Sequence, residues 1–381
     1  MANTTLKFGN GNWAIKEDSA LAYSDQYDNY KPLPFDFSRA SSGTIVNKEG
    51  LIESVNSGLP RIDFSDSVDG ALLLEPQSTN LFPYSEDFSQ WGSSNVSVLD
   101  NFTVSPSGTQ NASKFTFNGT TNGRVEKDIS VINGTQYTFS VWLKNDDLAD
   151  PTQVWIGLST SNQGEYVTVT NEWKRFTTTQ VSNGTTEYPR IQTSEVGSIF
   201  AWGAQLEQSY ATSYIPTQGS ASTRVAETCD NSGSAQDFNS EEGVLYAEIS
   251  ALANDGGYRI ISLNDGSSLN RIQMYYSNSL NRITVELKIN NSTEIALDNT
   301  VSDATDMHKV AFKYKENDFA LWIDGVEVDT DLVGSVFSEG TLTELGFNVG
   351  SSSFPFFGKV KNIQVFTEAL SDEQLEKLTT I

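Results

Sequence analysis

The chain has 381 residues and a formal net charge of -25, with 37% hydrophobic and 19% charged residues. Its length exceeds the roughly 100–200 residues of one domain, so two or three domains are expected, and the composition is globular rather than disordered. The acidity argues against nucleic acid and anionic membranes as partners, no apolar run approaches the ~18 residues of a membrane-spanning helix, and the single cysteine, Cys229, excludes an intrachain disulfide framework.

The first residues, "MANTTLKFGNGNWAIKED", lack a basic start followed by an apolar stretch, so no secretory signal is expected. Residues 1–79 are rich in Asn, Ser, Asp and Pro, with short apolar pieces such as "TIVNKEGLIESV" and "ALLLEP". They hold too few apolar residues for an independent core and read as a leader of short strands and turns that needs a neighbour. Residues 80–217 alternate. "QYTFSVWLK" puts Tyr137, Phe139, Val141 and Leu143 on one face and Thr138, Ser140, Trp142 and Lys144 on the other. "QVWIGLS" opposes Val154, Ile156 and Leu158 to Trp155, and "SIFAWGAQLE" groups Phe200, Trp202, Ala204 and Leu206. Short alternating strands separated by turn residues predict an antiparallel sandwich.

Residues 218–235 have the composition of a linker. Residues 236–381 return to strands, with Asp324-Gly325 as a two-residue hairpin turn in "FALWIDGVEV". One helix is expected at "LSDEQLEKLTT", with a Ser371/Gln374 capping box, a Leu370/Leu375 staple and a narrow Leu375/Leu378 apolar face. The fold class is therefore all-β: two antiparallel β-sandwich jelly rolls, 80–217 and 236–381, after a strand- and turn-rich leader.

Several stretches resemble known modules. "TNLFPYSEDFSQW", "YTFSVWLK", "NEWKRFT" and "FAWGAQLEQSYATSYIPT" are similar to the carbohydrate-binding-module-like jelly rolls of bacteriophage fibre and tail proteins. "EGVLYAEI", "HKVAFKYKENDFALWIDGVEV" and "GKVKNIQVFTEALSDEQLEKL" resemble laminin-G/concanavalin-A-like jelly rolls. The front segment resembles a leader that precedes such modules in virion proteins. The resemblance implies a non-enzymatic virion protein, a head or tail fibre or appendage. The leader would anchor it to other virion proteins, and the assembly would be a homotrimer displayed on the virion surface. It implies core positions for Trp173 and Trp202, and adhesion to host glycans as the role. A decoration protein without ligand and a bacterial surface glycan-binding protein are the alternatives.

Catalytic groups are scarce. His308, the only histidine, starts a strand in "MHKVAF" and has no Ser or Cys partner set around it, so a structural role is expected. "EVDTDL" approaches the two-carboxylate strand motif of concanavalin-like glycosidases. Glu327, Asp329 and Asp331 would alternate onto one face, but Leu332 stands where the last Glu belongs. Sugar binding needs an aromatic platform with polar neighbours. Trp142 and Trp155 fit, each falling on the polar face of its strand, as do Trp322 and, near it, Tyr275 or Tyr276. The other role for these rings is burial under the leader or in a subunit interface. No cofactor is required. A structural calcium ion, frequent in both kinds of jelly roll, would draw on Asp146, Asp147 and Asp255.

Overall fold

The computed structural model describes residues 4–9, 13–16, 19–21, 33–120, 122–146, 152–158 and 163–381. The fold is all-β, with one α-helix among these residues, Asp372–Thr379, and the chain divides into two compact units. One comprises residues 41–54 and 77–225, the other 1–40, 55–76 and 226–381. Each is a sandwich.

The first sandwich pairs two five-stranded sheets. In one the order is Gly92–Ser94, Gly123–Glu126, Pro189–Thr193, Gln153–Leu158, Gln163–Thr168; in the other it is Val96–Val104, Gln110–Asn118, Val196–Gln208, Gln136–Asn145, Lys174–Val181. The expected inward set Phe139, Val141, Leu143, Val154, Ile156 and Leu158 is fully buried between them, together with Phe82, Phe88 and Phe115. One expectation fails within the strand Val196–Gln208. Ser140 faces Gln205 but Trp142 faces Trp202, so this strand carries one extra residue. Gly203 sits there at φ +64°, a conformation that favours glycine. The bulge reverses the side-chain phase. Ile199, Ala201, Ala204 and Leu206 face the core, whereas Trp202 joins Tyr214 and Trp142 in a separate cluster. Trp173, expected inside, also packs half-buried on that outer cluster.

Two buried polar side chains, Gln205 and Glu207, hold the segment that leaves this strand. Gln205 Oε1 accepts from Ile215 N at 2.6 Å and Glu207 Oε2 from Thr212 N at 2.9 Å. Tyr214 is thereby laid over the sheet, and Thr44 Oγ1 donates to its carbonyl at 2.6 Å.

The second sandwich does not begin at residue 236, and residues 1–79 do not stand apart as a leader. Its larger sheet runs Val326–Asp331, Phe319–Ile323, His308–Lys315, Glu242–Ala251, Gly358–Phe366, Ala71–Leu74, Arg61–Asp63, with Thr4–Gly9 also paired to Gly358–Phe366. The facing sheet runs Ser292–Thr300, Arg282–Ile289, Arg271–Tyr276, Arg259–Asn264, Glu344–Gly346. Leu72, Leu74 and Phe35 lie in the common core with Leu245, Phe312 and Val360. Phe35, Phe37, Leu72 and Leu74 of the early segment thus lie in the later sandwich, whereas residues 41–54 belong to the first. Residues 218–235 are not a free linker either. Ser222–Arg224 pairs with Ser78–Asn80 in the first sandwich, and Thr228–Asp230 with Asp36–Ser38 in the second.

Charge fixes this arrangement. Glu227, almost fully buried, accepts from Arg39 Nη1 at 2.7 Å and from Arg61 Nε at 2.8 Å and Nη2 at 2.6 Å. Arg61 Nη2 also donates to Glu75 Oε2 at 2.7 Å, and the Glu75 amide donates to Glu227 Oε2 at 2.9 Å. Burial opposes the charge on Arg61, but the two carboxylates outweigh it and hold its pKa above the usual value.

The predicted turn and helix are present. Asp324 and Gly325 take φ of 51° and 84°, as a two-residue hairpin of the primed kind requires. His308 holds this turn: its Nδ1 lies 2.6 Å from Asp324 Oδ2 and its Nε2 2.9 Å from the Asp303 carbonyl. Ser371 and Gln374 form the capping box, and Leu375 is fully buried against Trp322 and Tyr246.

Two predictions follow from these contacts. Leaving a buried charge unpaired costs about 3–5 kcal/mol. Glu227→Ala should destabilise the second sandwich by that amount in urea unfolding, and a loss below about 1 kcal/mol would mean the cluster does not hold the early strands. For His308, burial acts to lower the pKa, but the hydrogen bonds to Asp324 and Asp303 raise it above the ordinary value. A raised folded pKa stabilises below the unfolded value of about 6.5 and ceases to do so as pH rises through the folded one. The melting-temperature deficit of His308→Gln should therefore be larger at acid pH than at alkaline pH. A pH-independent deficit would exclude this coupling.

Candidate functional site

The five aromatic residues singled out in the sequence fall into different environments. Trp322 is buried beneath the C-terminal helix with Leu370, Leu375 and Phe366. Its position among polar-phase residues reflects a helix covering that face, not an open platform. Tyr276 lies in the core of the second sandwich and donates to the Ile249 carbonyl at 3.2 Å. Tyr275 occupies the opposite face of the same strand, buried against Ile260 and Val349, with Tyr258 at 5.9 Å and Phe354 beyond it. Trp142 is half-buried. The first sandwich covers it with Trp202 at 5.3 Å, Tyr214 at 5.6 Å and the Arg175 guanidinium at 4.6 Å. The chain's own exit segment packs on this face through Tyr214.

Trp155 differs. It points away from the core on the first five-stranded sheet, and its strand buries Val154 and Ile156 on the other side. A Cβ built on Gly164 would come within 2.2 Å of the indole, and one on Gly157 within 2.8 Å. The ring therefore lies down over two backbone positions without side chains. The glycines make a floor, and any larger residue there would lift the ring off the sheet.

The strand register sets the neighbours. Across the sheet, Ser94 faces Arg124, Arg124 faces Gln192, Gln192 faces Trp155, and Trp155 faces Tyr166. The adjacent row runs Gly92, Glu126, Arg190, Gly157, Gly164. At about 4.8 Å between strands, Arg124 and Tyr166 stand some 15 Å apart along one line. Tyr166 is 67% exposed. Glu126 lies between two guanidiniums, accepting from Arg124 Nε at 3.0 Å and Arg190 Nε at 2.7 Å. Burial would raise its pKa, but these two cations bring it below the usual carboxylate value and keep it ionised. Arg190 Nη1 reaches Gln192 Oε1 at 3.3 Å, and Gln192 Nε2 reaches Asn122 Oδ1 at 3.4 Å. A shallow surface results, with flat aromatic area at one end and a fixed fan of donors and acceptors at the other. That is the chemistry a saccharide needs: C–H faces on rings and hydroxyls on oriented polar groups.

Tyr166, Arg124, Glu126, Arg190 and Gln192 were not singled out from the sequence. The alternation in "GRVE" and "PRIQT" was readable, but the register that aligns three separate stretches of chain was not.

The acidic residues behave otherwise. Glu327 faces Trp322 while Asp329 faces Leu321, with a register shift between them. Since Trp322 and Leu321 point to opposite sides, the expected common face of Glu327, Asp329 and Asp331 does not exist. Asp146 pairs with Lys114, and Asp255 accepts from Arg259 Nη2 at 2.8 Å and Gly257 N at 2.9 Å. Asp147 lies outside the described residues. Among the described residues no three His, Cys, Asp or Glu side chains are grouped to hold a metal ion.

No family model matches the chain, and no curated protein matches it. Solved structures do. The CBM40 module of a Ruminococcus gnavus IT-sialidase, bound to alpha2,3 sialyllactose, is 18% identical over 39% of this chain and 93% of its own, with a TM-score of 0.33. Domain 4 of a Geobacillus stearothermophilus GH43 extracellular arabinanase, in complex with arabinotriose, is 10% identical over 45% and 82%, TM-score 0.33. A CBM4 module is 15% identical over 39% and 92%, TM-score 0.23. The CBM40 and CBM4 neighbours are jelly-roll sandwiches at low identity.

Proposed function

We propose that this is a non-enzymatic glycan-binding protein whose first sandwich engages saccharide across the Trp155–Tyr166 face. The observation that carries this reading is the indole of Trp155 lying on Gly157 and Gly164 with polar side chains aligned beside it. A ring held flat loses little freedom on stacking, and Arg190, Gln192 and Glu126 are already oriented by one another. The sequence resemblance supports a finer proposal, display on a bacteriophage virion as a homotrimeric head or tail fibre or appendage contacting host surface glycans.

Glycan-array binding of Trp155→Ala and Trp142→Ala tests the site. Stacking on Trp155 should contribute at least ~tenfold in affinity, about 1.4 kcal/mol, so Trp155→Ala should lose that binding with little change in melting temperature. Trp142→Ala should do the reverse, losing about 2 kcal/mol or more of stability and melting earlier while binding persists. Unchanged binding by Trp155→Ala would overturn the assignment. Mass spectrometry of purified particles, with light scattering of the full chain, tests the virion role; absence from particles or a stable monomer would sink it.

A further inference from the structure

Resting on that reading, we propose that the saccharide bound at the Trp155 face carries a carboxylate, received by Arg124. The two arginines of the face are not equivalent. Arg190 has every guanidinium nitrogen engaged: Nε and Nη2 on Glu126, Nη1 on Gln192. Arg124 contacts Glu126 through Nε alone, and among the described residues its two terminal nitrogens have no partner. It is 31% exposed at the side chain, and it stands in the same cross-strand row as Gln192 and Trp155.

The fork of a guanidinium matches the two oxygens of a carboxylate, and holding Nε on Glu126 fixes the plane in which the terminal nitrogens are presented. The charge balance points the same way. The outward positions of the two rows hold two arginines against one glutamate, a positive patch on a chain of net charge -25. A neutral glycan would make no use of that excess. A carboxylate on a sugar two strands away from the indole, about 10 Å, would complete it.

The test is an array of matched pairs, each an acidic oligosaccharide and its carboxyl-reduced neutral twin. Glucuronate oligomers, galacturonate oligomers and sialylated oligosaccharides supply the pairs and distinguish the sources of the carboxylate. At least one acidic member should bind ~tenfold or more tightly than its twin, with added salt weakening only the acidic member. Arg124→Gln should bring the two members level while Trp155→Ala weakens both. Equal affinity of wild-type protein for both members of every pair would overturn the carboxylate and leave the platform standing, provided Trp155→Ala still weakens binding. An acidic preference that survives in Arg124→Gln would overturn the role of Arg124. Failure to bind any member of any pair would overturn this proposal and the platform together. The wild-type comparison needs no variant, so it decides the matter even if Arg124→Gln does not fold.

Discussion

Glu227 and its two arginines are the constraint on which the second sandwich depends. Two guanidiniums and two carboxylates sit almost fully out of water, each within hydrogen-bond distance of an opposite charge. Such groups are tolerable only together, because the penalty for desolvating any one is returned only by its partners. Arg39, Arg61 and Glu75 come from the early chain and Glu227 from the middle. The cluster thereby makes the early segment part of a core that its own apolar content could not form. Arg39 adds a further tie by donating to the Asn56 carbonyl at 2.6 Å.

Glycines perform a comparable task in the first sandwich. At Gly203 a left-handed φ inserts one residue and turns Trp202 out of the core, where it meets Trp142 and Tyr214. At Gly157 and Gly164 the missing side chains let Trp155 lie flat. The same residue type creates an aromatic cluster under the exit segment on one sheet and, on the other, a surface where half-buried Trp155 lies beside exposed Tyr166. Trp142 and Trp155, indistinguishable by strand phase, differ because the exit segment anchored on Gln205 and Glu207 lies across only one of the two sheets.

Alternation made much of the fold readable. Phe139, Val141, Leu143, Val154 and Ile156 point where period two puts them, and the Asp324-Gly325 turn and the Ser371/Gln374 cap carry their own local chemistry. Phase beyond a bulge was not readable, which misplaced Trp202 and united Glu327 with Asp329. Pairing between distant segments was also hidden: "ALLLEP" shows four apolar residues but not that Gly358–Phe366 receives them. The site was half legible. Trp155 stood out against its polar strand face, but Arg124, Gln192 and Tyr166 join it only through a register that no single stretch encodes.

The pairing of Thr4 with Phe366 and of Leu72 with Val360 has a consequence for biosynthesis. The first sandwich draws on residues 41–54 and 77–225 and can close once these have left the ribosome. Among the strands before it in sequence, Thr4–Gly9 has its partner, and Ala71–Leu74 its second neighbour, only when Gly358–Phe366 exists. Contacts of such separation carry a large loop-closure entropy and form slowly. Ala71–Leu74 can pair early with Arg61–Asp63, but its other edge stays open until the last strand is made, at a stage when the acidity of the chain opposes association.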